Sequence, residues 1–142
     1  VRLRALLAQH SVRLVYPVPE TNWITRVDPD TGLPKSRRRS PRRGQPLDVF
    51  DELVWIPDLL ANPRLSLDLV LVEQEEVRCA DGRGPWRRHG VSTLDRRLLR
   101  VIDVLPCETP DSLARLLPDG LVRPFTNRML AAEARLSRAT PP

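Results

Sequence analysis

The chain has 142 residues, of which 41% are hydrophobic and 4% aromatic, and its formal net charge is +5. This length fits one domain that buries roughly 70% of the surface its unfolded form exposes. No apolar run approaches the roughly 20 residues of a membrane span, and the N-terminus lacks the apolar centre of a signal peptide. We therefore expect a cytoplasmic protein without a membrane partner.

The basic residues are almost all arginine, because Lys35 is the single lysine among 23 basic positions. A positive net charge favours binding to an anionic partner. An arginine-rich, proline-rich composition is also what a GC-rich genome imposes on any protein, so coding bias is an alternative source of part of this charge. Cys79 and Cys107 have no second Cys or His at metal-ligand spacing, which predicts two small buried side chains and no metal or other cofactor.

The N-terminal third predicts a helix and two strands. Apolar residues at helical spacing predict a short amphipathic helix that ends near residues 10–11. Residues 12–18 and 22–28 are typical of two strands, joined through residues 19–20. Residues 28–32, Asp-Pro-Asp-Thr-Gly, have the composition of a tight turn. Trp23 is predicted to anchor the core or one face of the sheet.

The middle of the chain predicts an amphipathic helix followed by a central strand. From Pro46 the apolar residues follow a period of 3.6, and Pro57 should kink or shorten the helix. Residues 65–77 are apolar on both faces in their middle, which is typical of a central strand. A further strand is predicted in the second half of residues 94–105, and Thr109 is expected to cap a short helix through Leu117.

These elements predict one α+β domain over residues 1–122, with a mixed or antiparallel sheet covered by a few helices. Residues 123–142 are interpreted as the start of a helix-turn-helix-like segment, with Thr126 as its N-cap. Arg135 occupies a position where such turns often carry glycine, and the segment is incomplete. An ordinary terminal helix that packs on the domain is the alternative.

The densest charge lies at residues 35–43, where nine residues carry six cations and no acid. So much like charge must meet water or an anion, and arginine matches the geometry of phosphate. We predict a solvated basic loop that contacts a nucleic-acid backbone. Its cations are Lys35, Arg37, Arg38, Arg39, Arg42 and Arg43.

A second candidate patch lies in the predicted loop of residues 81–90. Trp86 could stack on an unpaired base while Arg87 and Arg88 hold phosphates. The alternative is a tryptophan that pins this loop to the core.

Carboxylates crowd the middle of the chain, and Glu73 and Glu75 should point to one face of a strand. Together with Glu52 and Asp68 they could hold Mg²⁺ for phosphodiester cleavage. The triplet 73–75 lacks the lysine that nuclease strands of this kind carry. Pairing of these acids with nearby Arg78 is the alternative.

Several ordered motifs resemble a family of uncharacterised bacterial proteins. They include Ser-Pro-Arg-Arg-Gly at residues 40–44, Asp-Val-Phe-x-Glu-Leu at 48–53 and Trp-Arg-Arg at 86–88. The resemblance covers residues 12–136 and implies an α/β domain followed by a winged-helix-type segment. It implies no activity.

The sequence thus predicts a nucleic-acid-associated module, in which DNA is the first partner to test. A divalent-metal nuclease and a protein-interaction domain that docks an acidic protein are the alternatives. The sequence does not decide whether the protein is an enzyme, nor its oligomeric state.

Overall fold

A computed structural model describes residues 2–121 and 124–133. Its centre is a four-stranded mixed sheet, curled like a half-barrel, with the strand order β2-β1-β3-β4. The strands are β1 (Val12–Val27), β2 (Pro34–Arg39), β3 (Leu65–Cys79) and β4 (Ser92–Cys107). β1 and β3 run parallel in the middle, and the two edge strands run antiparallel to them. The prediction of an α+β fold with a mixed sheet is confirmed.

The helices are short. They are α1 (Arg2–Gln9), α2 (Phe50–Leu53), α3 (Pro110–Ala114) and α4 (Asn127–Glu133), with 3₁₀ turns at Pro46–Val49, Pro57–Leu59 and Trp86–Arg88. The helix predicted from Pro46 is present in part: its first turn is a 3₁₀ turn that leads into α2. Helical structure ends before Pro57, which begins a separate turn, so the predicted shortening at Pro57 is confirmed. Thr109 caps α3 as predicted, and the Thr126 hydroxyl accepts from the amide of Met129 at the start of α4. Of the helix-turn-helix-like segment predicted for residues 123–142, residues 123 and 134–142 lie outside the described residues.

β1 corrects the expectation of two separate strands. It is continuous from Val12 to Val27, and a register shift between Pro19 and Thr21 absorbs one extra residue as a bulge. A bulge lets a strand bend without ending, and proline is tolerated there because no ladder donor is required. The predicted turn after β1 does form, since the Asp28 carboxylate accepts from the amides of Asp30 and Thr31, and Gly32 adopts a φ of 69°.

The clusters of the hydrophobic core lie on one face of the sheet, which we call the packed face, while Ile24 and Val72 are buried on the opposite face. The largest cluster joins Val18 and Leu69, both fully buried, to Val49 and Leu53 from the segment around α2 and to Leu113 of α3. Alternate residues of β1 and β3 point to the same face, so these positions share a side with the two smaller clusters. Those clusters centre on Leu65 near α1 and on Val77 near the other end of the sheet. Cys79 and Cys107 are both buried and free, as predicted.

β4 differs from the other long strands because almost every residue in it is exposed. Its residues 92–107 pair with only 67–79 of β3, and three register shifts absorb the difference. The residues left unpaired by those shifts are all large and apolar. The exposed apolar side chains of β4 are Leu94, Leu98, Leu99, Val101, Ile102 and Val104.

None of the helices in the described part of the chain combines the length and apolar character that a membrane crossing demands.

Candidate nucleic-acid interface

The basic segment is not a loop along its whole length, contrary to the prediction. Residues 34–39 form β2, which pairs antiparallel with β1 at the edge of the sheet. Every residue of β2 is exposed, which bears out the expectation that this charge meets solvent. An edge strand needs only one hydrogen-bonded side, and charged side chains on its free edge discourage pairing with other chains. Alternate side chains of β2 consequently point to opposite faces of the sheet.

Two of the six predicted cations are neutralised by carboxylates. Lys35 forms an ion pair with Asp28, and its hydrogen bond, with those from the amides of Thr31 and Asp30, holds the pKa of Asp28 well below its usual range. Arg37 donates from Nε to Glu75 Oε1 at 2.9 Å. These two charges are already satisfied within the protein.

Arg37 also organises the packed face beside β2. Its guanidinium stacks over the Trp23 ring, 4.2 Å from the ring centroid. Trp23 Nε1 donates to Glu73 Oε1 at 2.8 Å, and Thr25 Oγ1 donates to Glu75 Oε1 at 2.7 Å. Trp23 is thus a sheet-face anchor, as predicted. Hydrogen bonds from Thr25 and Arg37 lower the pKa of Glu75, so this carboxylate stays ionised.

The other cations of the segment keep their charge available. Arg39 donates to the neutral hydroxyl of Thr21 at 2.7 Å. The side chains of Arg38, Arg42 and Arg43 form no hydrogen bond or ion pair with any residue the structure describes. All three are exposed. They are the part of the predicted site that can accept an external anion.

The sheet brings Arg38 together with arginines from other strands, on the face opposite the packed face. Two adjacent rows of paired residues cross all four strands there. One row reads Arg38, Ile24, Glu76, Arg96, and the next reads Ser36, Arg26, Arg78, Thr93. We call the charged residues of these rows, with Arg88, the arginine face. Arg88 belongs to it because its guanidinium donates to the Thr93 hydroxyl at 3.1 Å.

One buried carboxylate lies at the centre of the arginine face. Glu76 is only 7% exposed. Its Oε2 accepts from Nε and Nη2 of Arg78 at 2.9 and 2.6 Å, and its Oε1 lies 4.0 Å from Nε of Arg96. Burial raises the pKa of Glu76, but the hydrogen bond and charge of Arg78 and the charge of Arg96 outweigh it, so the net shift is downward. Five arginines and one carboxylate leave this surface with a formal charge of 5 − 1 = +4.

The Trp86 turn, which we define as residues 81–91, adjoins the arginine face. Trp86 is 85% exposed, so the alternative that it pins the turn to the core is wrong. The 3₁₀ turn inside this segment also corrects the expectation of a wholly irregular loop. Arg83, Arg87 and Arg88 of the same turn are also exposed.

The carboxylates proposed for a nuclease do not form a metal centre. Glu73 and Glu75 share the packed face of β3, as predicted, but are hydrogen-bonded to Trp23 and Thr25. Asp68 lies 3.5 Å from Arg13, and Glu52 is exposed on α2. Within residues 2–121 and 124–133, no three His, Cys, Asp or Glu side chains gather in a group that could hold a metal ion.

Sequence reasoning missed most of the arginine face. Arg26, Arg78 and Arg96 are far apart along the chain and join only through the pairing register. The signal that could have found them is the placement of Arg26 and Arg78 near the ends of two strands that pair in parallel.

The family model described as "Domain of unknown function (DUF8091)" matches residues 1–107, which include all four strands. The chain belongs to this family. It is also 32% identical over 124 residues to an uncharacterized protein of Treponema pallidum (strain Nichols). That match covers 87% of the chain and 49% of the relative, so the chain spans about half the length of the curated relative it matches. No solved structure matches the chain.

The family membership agrees with the resemblance to uncharacterised bacterial proteins. Neither match comes with a stated activity, so a functional proposal has to be argued from the geometry of the basic surface.

Proposed function

We propose that this domain binds the phosphate backbone of a nucleic acid through the edge strand β2, the segment that follows it and the adjoining arginine face. One observation carries the proposal: Arg38, Arg42 and Arg43 are exposed and have no carboxylate partner in the described structure, and Arg38 lies in a row with Arg96 across the sheet. Guanidinium groups bind phosphate oxygens in a fixed fork geometry, which suits this surface to a polyanion.

The distribution of carboxylates over the sheet also argues against the alternative that the arginines of the arginine face only contact water. Elsewhere on the sheet, arginines meet carboxylates: Arg37 meets Glu75 and Arg100 lies 3.4 Å from Glu73. On the arginine face a single carboxylate serves several arginines. Like charges placed together in this way repel each other, and an anionic partner relieves that repulsion.

The test is the salt dependence of binding. The triple variant Arg38→Gln/Arg42→Gln/Arg43→Gln removes three phosphate contacts, so the log-log slope of affinity against salt should flatten by about 2 to 3 units on a DNA duplex or single strand. Fluorescence anisotropy with a labelled oligonucleotide between about 50 and 200 mM salt measures it.

The matched control is Arg2→Gln/Arg115→Gln/Arg128→Gln, which removes the same charge from exposed positions on or beside α1, α3 and α4. It should leave the slope nearly unchanged. Equal slopes for wild type and the first triple variant would refute the proposal. Retention of an acidic protein with no measurable affinity for any nucleic acid would favour the interaction-domain alternative.

A further inference from the structure

The Trp86 turn places an aromatic side chain in solvent on a hydrogen-bonded backbone. The Gly84 amide donates to the Gly90 carbonyl at 3.1 Å, and the amides of Arg88 and His89 donate to the Pro85 and Trp86 carbonyls at 2.8 and 2.9 Å. His89 adopts the left-handed conformation at a φ of 50° and ends the 3₁₀ turn. The turn therefore keeps its shape through its backbone, without any contribution from the indole.

Asp81 fastens this turn to β4. Its Oδ1 accepts from the Arg83 amide at 3.0 Å, and its Oδ2 accepts from the Ser92 hydroxyl at 2.8 Å. These hydrogen bonds lower the pKa of Asp81, so the carboxylate is ionised at neutral pH. Gly84 lies so close to Val91 that a Cβ at position 84 would meet the Val91 carbonyl carbon and oxygen at 2.1 Å. The close approach fixes where the turn projects Trp86.

The chemistry around the indole is cationic. Arg83, Arg87 and Arg88 lie within three residues of Trp86 in the same turn, and none of them pairs with a carboxylate of the described residues. Arg88 is oriented by Thr93, which lies in the row that contains Arg78 and Arg26. An unpaired base that stacks on Trp86 would thus have its phosphates next to these arginines and to the arginine face.

We infer that Trp86 is a stacking platform for an unpaired base, and that the nucleic acid bound by this domain is single-stranded. A base within a duplex presents only its edges in the grooves, so an exposed indole gains a stacking partner only from an unpaired base. A preformed turn keeps the ordering entropy lost on binding small. This inference rests on the proposed phosphate binding and adds to it the class of nucleic acid.

The test compares three probes of about 12 nucleotides with wild type and Trp86→Ala: a single-stranded oligothymidine, an abasic single strand with the same number of phosphates, and a duplex. Loss of stacking should weaken binding of the oligothymidine by roughly 5- to 100-fold. Affinity for the abasic strand and for the duplex should change less than twofold. Trp86→Phe, which retains an aromatic ring, should restore part of the affinity.

Trp55 provides the matched control. It is 80% exposed, but its exposed charged neighbours on α2 are Asp51 and Glu52. Trp55→Ala should leave oligothymidine binding unchanged. In a Trp55→Phe background, where Trp23 and Trp86 are the remaining tryptophans, oligothymidine should quench the emission and the abasic strand should not. The quenching should disappear when Trp86 is also replaced by Phe.

The two proposals fail separately. If the triple arginine variant weakens binding to every probe while Trp86→Ala changes none of the three affinities, phosphate binding stands and the stacking platform is refuted. If the triple variant changes no affinity, the proposed phosphate binding itself is refuted. Equal losses on the abasic strand and the oligothymidine after Trp86→Ala would also overturn the inference.

Discussion

Replacing Glu76 with Gln should lower stability and strengthen binding to a polyanion in the same variant. The change keeps the shape of the side chain and removes its charge. In the wild type, this carboxylate satisfies Arg78, whose side chain is 22% exposed, and attracts Arg96, which is 65% exposed. Glutamine keeps one acceptor oxygen for Arg78, but its side chain is neutral and attracts neither charge, and its NH₂ group would face Arg96 and the Asn22 donor in place of Oε1.

The size of the stability loss follows from these exposures. Breaking a fully buried ion pair costs about 3 to 5 kcal/mol because the remaining charge is left buried. Water reaches Arg96 readily and Arg78 in part, so we expect the variant to lose about 1 to 3 kcal/mol of the free energy of unfolding. For a domain of this size that corresponds to a fall in Tm of roughly 3 to 12 °C.

Binding should change in the opposite direction. Without Glu76 the formal charge of the arginine face rises from +4 to +5, and Arg78 becomes free to meet a phosphate. The log-log salt slope should steepen by about 0.7 to 0.9 units. Urea unfolding measures the stability, and anisotropy at a temperature well below the Tm measures affinity.

Glu108→Gln is the control, since this exposed carboxylate lies after β4 and away from the arginine face. It should change neither quantity appreciably. If Glu76→Gln lowers the stability but leaves the salt slope unaltered, the assignment of the arginine face to phosphate binding is refuted. If it leaves the stability unaltered, the role of Glu76 as the group that holds Arg78 is refuted.

Two further predictions concern pH and the Trp86 turn. The pKa values of Glu75, Glu76 and Asp81 are lower in the folded protein than their ordinary values, so their contribution is complete above the unfolded pKa and is lost as pH falls through the folded pKa. The free energy of unfolding should therefore decrease as pH falls from about 5 to 3, and the decrease should be shallower in Glu76→Gln. Chemical denaturation at a series of pH values measures it, and a free energy of unfolding that does not decrease over this range would contradict the prediction. Gly84→Ala should displace the Trp86 turn, because the added Cβ clashes with the Val91 backbone, and should weaken oligothymidine binding while duplex binding is retained. Gly32→Ala is the control. Its Cβ would meet nothing within 4 Å, so it tests whether backbone strain at a glycine, without a clash, produces the same loss.

The local signals of the sequence were read correctly where one short pattern determines the structure. The Asp28 to Gly32 turn, the Thr109 cap and the central position of β3 all follow from neighbouring residues. The errors arose where tertiary pairing overrides local preference. Charge alone favours a loop at residues 35–39, but antiparallel pairing with β1 makes them a strand. Pro19 favours the end of a strand when only neighbouring residues are considered, but pairing with the parallel strand β3 continues β1 past it through a bulge.

The carboxylates of β3 also show that local sequence patterns do not reveal partners from other strands. The period of a strand correctly placed Glu73 and Glu75 on one face. It could not show that Trp23, Thr25 and Arg37 occupy their oxygens, because those partners come from β1 and β2, which are distant in sequence. A carboxylate already bonded to an indole, a hydroxyl and a guanidinium has fewer lone pairs left for a metal ion. Spacing alone therefore overestimates how many acidic side chains are available for chemistry.

Composition alone does not distinguish coding bias from binding of a polyanion as the reason for the many arginines. The positions of these arginines in the structure favour the second reason. Coding bias raises the number of arginines without regard to position, so it predicts cations spread over both faces and paired wherever an acid is near. The packed face follows that expectation, since Arg37 and Arg100 each lie beside a glutamate. The arginine face departs from it: strands that are distant in sequence converge there on one buried carboxylate, and Arg42 and Arg43, which follow β2, have no carboxylate partner among the described residues. Random enrichment has no tendency to align unpaired charge along one edge, whereas binding of a linear polyanion requires it.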